Sequence, residues 1–465
     1  MNPQMCFDVK RLFFYIFLLV FSSSVNAQAT AARLQQAFRQ FENDEQLKHA
    51  LVSFYVIDAK TGNIVFDKNS QTGLAPASTQ KIITSVTAFE TLGKDFRYNT
   101  SFAIADYEGG KALYIKPSGD PTLGSWRWEN TKEKAVIGRV VKAAGKSASQ
   151  IRNVLLDSAG WTDQYTPDGW IWQDIGNYYG AGALGLNWRE NQYDLILKAG
   201  DNPGDAVDIA RTNPSIIYSG RPTSLLIAGP KGSGDNAYIY PFSGRVAEVR
   251  GTIPAGEKSF VISGSFADPV REFAGILMDS IQLATGKKTD YSVKSTSANE
   301  NAAVFHTEIS PSLDSIIYWF NKKSINLYGE ALLKTMGYHN NKRGYSREGV
   351  KFIRSFWKER GLDEEELNIV DGSGLSPLNR VTTHAQVTVL RYAKDKSWFS
   401  SFYDALPEYN GMKMKSGTIS GAKGFCGYQK AKDGNEYIFS FLVNNYSGTA
   451  SGLVGKMYKV LDVLK

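Results

Sequence analysis

A hydroxyl and an amine three residues apart, Ser78 and Lys81, stand where a helix begins. Pro76 disfavours helix at Ala75, and Ile82, Ile83, Val86, Phe89 and Leu92 then recur at helical spacing until Gly93 ends the run. Side chains at this spacing lie one above the other on a helix, so the Lys81 amine can reach the Ser78 hydroxyl. A serine nucleophile activated by a lysine needs that geometry. The spacing alone carries little weight. Ser355 with Lys358 and Ser420 with Lys423 repeat it, and composition predicts about one or two chance matches in a chain of this length.

Two more segments supply groups that such a pair would use. Ser324-Ile325-Asn326 opens a helix, and there a hydroxyl and an amide can both face one cleft from backbone not yet helical. Read singly, Ser324 is an N-cap, and Ser24 to Asn26 and Ser297 to Asn299 spell the same pattern. Lys415-Ser416-Gly417-Thr418 falls within an expected strand, 412–420. Its glycine either marks a bulge or removes a side chain where a substrate strand must approach the backbone. The other K-T-G, Lys60-Thr61-Gly62, precedes the serine and lies in a hairpin turn, which sets it aside.

In the order S-x-x-K, S-x-N, K-[ST]-G, each on the element it requires, the chain resembles the penicillin-recognising serine enzymes. The stretches 76–81, 118–123, 178–187, 324–330, 371–376 and 415–421 narrow the likeness to the class C low-molecular-mass penicillin-binding proteins. These are D-alanyl-D-alanine carboxypeptidases and endopeptidases with a large insertion, and the resemblance covers nearly the whole mature chain. Ile325 stands where Asp is common and Ser416 where Thr is usual; the Ser and Asn groups and the hydroxyl are kept. No chemical role is assigned to Asp371-Gly372-Ser373-Gly374-Leu375-Ser376.

The resemblance implies acyl transfer through Ser78, with Lys81 as its partner, acting as base only when its amine is neutral. Lys415, the positive end of the Ser78 helix and partial burial would all push the Lys81 pKa down. Ser324 would pass a proton to the leaving amine, and Asn326 would hold the acylamide side of the peptide. The backbone N–H groups of Ser78 and Thr418 match the family's oxyanion hole, where losing one donor costs about 3 kcal/mol. Lys415, with Ser416 and Thr418 beside Gly417, would hold a terminal carboxylate. The implied partners are peptidoglycan stem peptides as substrates and β-lactam antibiotics as covalent inhibitors. No cofactor or metal is called for: His49, His306, His339 and His384 are scattered without ligand spacing. Other readings of the same scaffold are a β-lactamase, a serine esterase, and a non-catalytic envelope protein that binds peptidoglycan.

With 465 residues, 42% of them hydrophobic and 21% charged, the chain has material for more than one domain. The net charge of +7 is spread without a dense basic run, so nucleic acid is not an expected partner. Weak association with an anionic membrane surface is compatible with it. Lys10 and Arg11, the apolar run 12–21 and Val25-Asn26-Ala27 before Gln28 read as a cleaved export signal, residues 1–27. That run is about half of what a bilayer requires. The expected location is the bacterial periplasm or cell envelope. Cys6 would leave with the signal, so Cys426 is expected buried and without a disulfide partner.

The expected fold class is mixed α+β. Residues 28–97 and 291–465 would form a transpeptidase-like domain, an antiparallel sheet flanked by helices. Residues 98–290 would be an inserted, mainly β region of two subdomains. Within the insertion, 192–266 reads as mostly antiparallel β, and Asp268-Pro269 caps a helix to about Thr285. The polar stretch 287–302 reads as a linker.

Overall fold

The computed structural model describes residues 29–465 except 219, 221, 242–246, 289 and 297–301. The expected export signal and Cys6 lie outside the described residues.

The central sheet has six antiparallel strands in the order Glu408–Tyr409, Met412–Ile419, Ala422–Lys430, Glu436–Asn444, Leu51–Asp58, Ile64–Lys68. Alternate side chains on a strand face opposite sides, and here both sides are covered. Phe54, Val56, Phe425 and Phe441 pack beneath helix 29–42 and the C-terminal helix Ala450–Leu461, against Leu34, Phe38, Leu453 and Met457. Tyr55, Ile57, Cys426 and Ile438 point the other way, into a larger core with Ile82, Val86, Leu332 and Leu390. Each such side chain taken fully out of water contributes about 1.5–3 kcal/mol. Cys426 is buried and free, as expected, and burial raises its thiol pKa.

The helix that follows the serine, Lys81–Leu92, buries Ile82, Ile83, Val86 and Phe89 and stops at Gly93, whose φ is 82°. Phe89 stacks on Trp398 with ring centroids 5.1 Å apart, and Trp357 Nε1 donates to Thr87 Oγ1 at 3.0 Å. The helix is thus wedged between the sheet and the helices that follow residue 310.

A second sheet of five strands has the order Ser292–Thr296, Ile151–Asp157, Gly110–Lys116, Asn99–Tyr107, Ala303–Ile309. Helices Glu133–Ala144 and Pro269–Thr285 pack on it through Val136, Val140, Phe273 and Leu277. Asp268 caps the second of these by accepting the Arg271 N–H, as its sequence indicates. Two strands of this sheet come after residue 290, so it continues to Ile309. Part of the stretch 287–302 is therefore not a linker: Ser292–Thr296 runs parallel to Ile151–Asp157 at the sheet's edge, while 289 and 297–301 lie outside the described residues. A polar edge strand lacks the apolar alternation that marks a strand in sequence.

Two three-stranded sheets between Gln192 and Ser265 share one core that includes Leu195, Leu197, Leu226, Val249 and Ile253. Most of their pairs are antiparallel, but Thr223–Gly229 and Glu248–Pro254 run parallel. The intervening strand Asn236–Tyr240 pairs on the far side of Glu248–Pro254, which sends the chain back in its original direction. Among the described residues, no helix is long and apolar enough to cross a membrane.

Candidate active site

Ser78 lies in a single 3-10 turn, Ala77–Gln80, immediately before its helix. Ala77 enters that turn with φ 48°, a left-handed conformation costing an alanine roughly 1–2 kcal/mol. The surroundings hold it there. A side chain at Gly374 would lie 2.0 Å from the Ala77 carbonyl oxygen, and one at Gly417 would lie 2.6 Å from that of Pro76. The turn is clamped between two glycines. Gln80 Nε2 donates to the Asp371 carbonyl at 2.6 Å, while Gln386 Nε2 donates to Thr79 Oγ1 at 2.8 Å and its Oε1 accepts from Ser440 at 2.6 Å.

Lys81 is fully buried, and its Nζ lies 3.0 Å from Ser78 Oγ, 2.6 Å from Asn326 Oδ1 and 2.7 Å from the Ser373 carbonyl oxygen. Burial first, then the charge of Lys415, lower its pKa well below the ordinary lysine value, while Asp371 and Glu330 oppose them. In a neutral amine, the two N–H bonds can serve Asn326 and Ser373. The lone pair is then left for the Ser78 hydroxyl.

Ser324 has φ 56° and precedes the helix Asn326–Asn341. Its hydroxyl accepts from Lys415 Nζ at 3.0 Å, and Lys415 also donates to the Ser416 carbonyl at 2.8 Å. Ser324, expected to pass a proton to the leaving amine, is thus hydrogen-bonded to Lys415. Asn326, two residues on, is the one that reaches Lys81, and its Nδ2 donates to the Tyr179 carbonyl at 2.7 Å. Lys415 is almost wholly buried, which lowers its pKa to about 7.

The Lys415 strand, Met412–Ile419, has a free edge. Among the described residues its outer neighbour pairs only with Lys413 and Met412, which leaves the backbone from Lys415 to Thr418 open on that side. Ser416 and Thr418 share one face of it. A cleft of about 990 Å³ lies in front, lined by Ser78, Ser324, Asn326 and Thr418, and walled by Tyr178 and Tyr179 of the insertion. The structure therefore brings Ser78, Lys81, Ser324, Asn326, Lys415, Ser416, Gly417 and Thr418 to one place.

Asp371, to which no role was given, is fully buried and organises the loop behind the site. Its carboxylate accepts from Trp170 Nε1, Gly374 N, Ser376 N and Asn379 Nδ2 at 2.7–2.9 Å. That loop presents the Ser373 carbonyl to Lys81. The Ser373 and Tyr179 contacts are made by backbone atoms, which no side-chain pattern announces.

Glu330 closes the rear by accepting the Gly372 N–H, with its oxygens at 3.2 and 3.1 Å. Burial, then the charge of Asp371, push its carboxyl up from 4.5 to about 8. A raised carboxyl pKa means the folded chain keeps a proton that the unfolded chain has released. Its stabilising contribution is whole below about 4.5 and is lost as pH climbs through about 8. Glu330→Gln keeps the shape without the titration, so it should flatten the thermal midpoint over that window. An equally steep fall in the variant would show that another group is responsible.

A serine beside a buried lysine, an asparagine bound to that lysine, and a strand edge carrying Lys-Ser-Gly-Thr define a lysine-assisted serine acyl-transfer site. The chain belongs to the D-Ala-D-Ala carboxypeptidase 3 (S13) family, which matches residues 34–408. The resemblance to class C penicillin-binding proteins read from the sequence holds. A D-alanyl-D-alanine carboxypeptidase of Actinomadura sp. (strain R39) is 25% identical, over 93% of this chain and 85% of that protein. The D-alanyl-D-alanine carboxypeptidase DacB of Haemophilus influenzae is 21% identical, over 85% and 86%. The fold matches the crystal structure of penicillin binding protein 4 (dacB) from Haemophilus influenzae, with a TM-score of 0.74 and 19% identity, over 93% of this chain and 98% of that one. The same protein complexed with a novel beta-lactam matches with a TM-score of 0.69 and 18% identity, over 94% and 99%.

Proposed function

We propose that Ser78 opens the terminal D-alanyl-D-alanine bond of peptidoglycan stem peptides through an acyl-enzyme. The 3.0 Å approach of the fully buried Lys81 amine to the Ser78 hydroxyl, at the floor of an open cleft, carries this reading. As Ser78 Oγ bonds to the carbonyl carbon of the penultimate residue, its proton passes to Lys81 Nζ. The N–H groups of Ser78 and Thr418 receive the oxyanion. Collapse breaks the C–N bond, and the departing amine takes, through the Ser324 hydroxyl, the proton that Lys81 received, which leaves Lys81 neutral again. Water then attacks the ester carbon while Lys81 takes its proton, and Lys81 hands that proton to the Ser78 oxygen as the C–O bond breaks.

Asn326 Nδ2 keeps one N–H beyond its bond to Tyr179 and can offer it to the acyl amide of the peptide. Ser416 and Thr418 face the terminal carboxylate within the positive field of Lys415. The free edge of the Lys415 strand suits an extended peptide, which would pair there as an added strand. Cross-linked stem peptides are a second substrate class for the same site. A β-lactam would acylate Ser78 in place of the peptide. Lys10, Arg11 and the apolar run after them support export, placing the enzyme in the periplasm or envelope. The net charge of +7 favours weak association with anionic surfaces there.

The test is to incubate the chain with a labelled penicillin and with a pentapeptide muropeptide, locating the label by peptide mapping. Label on Ser78 with D-alanine release is the expected result. Absence of covalent label would sink the proposal. Label without release would leave a binding protein, and rapid hydrolysis of the penicillin adduct would mark a β-lactamase.

A further inference from the structure

Lys423 matched the S-x-x-K spacing with Ser420 only by chance, and the chemistry above makes no use of it. Its position in the sheet gives it another use. Lys423 stands directly across the ladder from Thr418, so the two side chains share a face, and its Nζ donates to Thr418 Oγ1 at 2.7 Å. Its ammonium lies 4.9 Å from the centre of the Phe425 ring. Thr418 is exposed and lines the cleft that holds Ser78.

The charge expected to receive the substrate's carboxylate is turned elsewhere. Lys415 Nζ is spent on Ser324 and on the Ser416 carbonyl, and burial lowers its pKa to about 7. Lys423 is less buried, and burial is the sole influence lowering its pKa, with no carboxylate among the described residues holding it up. The Lys423–Thr418 contact is exposed, so an incoming anion can reach the ammonium directly. Because Thr418 Oγ1 already accepts from Lys423, its own proton is free to be donated to that anion.

We propose that Lys423 is a specificity-determining residue whose ammonium, resting on Thr418, binds the free carboxylate at the C-terminus of the substrate. The inference rests on the proposed carboxypeptidase reading and adds the residue that makes the enzyme require a free end. Lys423 is the main charge and Thr418 and Ser416 are the orienting hydroxyls; Lys415 serves the proton traffic at Ser324.

The experiment compares two peptides on the full chain, one ending in D-alanyl-D-alanine with a free carboxylate and the other with the same end as its carboxamide. The readout is the ratio of kcat/KM for acid over amide. Loss of a charge-assisted hydrogen bond predicts a fall in that ratio of about 10- to 100-fold in Lys423→Met and Lys423→Gln, carried mainly by KM. Lys423→Arg should restore most of it. A fall of less than tenfold in both neutral variants overturns the inference, whatever happens to the absolute rates. If the unmodified chain releases no D-alanine from the acid, the proposed function falls and this inference with it. A working parent whose preference survives the neutral variants overturns this inference alone.

Discussion

Lys81→Met should reduce acylation of Ser78 by labelled penicillin at least about 10³-fold, and up to about 10⁶-fold if the pair acts as a unit. Methionine nearly matches the volume of the lysine stem and suits a buried site, so the fold should survive. What disappears is the atom 3.0 Å from the nucleophile, the one group among the described residues in direct reach that can take its proton. Lys81→Arg should fail as badly, because a guanidinium stays protonated and offers no lone pair. In the parent chain, acylation should rise with pH as the Lys81 ammonium deprotonates, with a midpoint well below the ordinary 10.5. Rapid-quench labelling across pH checks both statements. A methionine variant that acylates within tenfold of the parent would remove Lys81 from the mechanism.

The second large effect is expected at a residue with no functional group. A side chain on Gly417 would meet three backbone atoms: the Pro76 oxygen at 2.6 Å, the Thr79 nitrogen at 2.8 Å and the Ser78 nitrogen at 2.9 Å. None of them belongs to a flexible side chain that could swing aside. The strand must retreat or the serine turn must rotate, and either movement separates the two proposed oxyanion donors. Misplacing one such donor costs about 10²–10³ in rate. Gly417→Val should therefore lose at least about 10³-fold in acylation, with Gly417→Ala in between, and both should melt earlier because the clash is also a packing fault. Parent-like acylation of Gly417→Val would mean that the strand does not supply a donor.

Much of this site was legible because its chemistry resides in side chains at fixed short spacings. Ser78 with Lys81, Ser324 with Asn326, and Lys415 to Thr418 each announce themselves locally, and the apolar period of 82–92 places the first pair. Harder to read was which lysine each hydroxyl would meet. Ser324 turns toward Lys415 because its backbone is left-handed, a feature of the turn and not of residue type. The Ser373 and Tyr179 carbonyls were invisible for a related reason: every residue has one. In the insertion, the polar edge strand Ser292–Thr296 had no alternation to betray it, and the parallel pairing of Thr223–Gly229 depends on chain return over long distances. Lys423 was legible only as a false match, since its value comes from a neighbour across a ladder.

The pairing of Leu51–Asp58 with Glu436–Asn444 has a temporal meaning as well. A strand made early has to wait for one made far later before its inner edge is satisfied. Until then the Lys415 hairpin, Met412–Ile419 with Ala422–Lys430, is not joined through Glu436–Asn444 to the first strand. Non-local closure of this kind is slow and cooperative. A hydrolase assembled in that order stays silent throughout synthesis, and any product cut short of its final hairpin is inert toward the polymer its parent would digest.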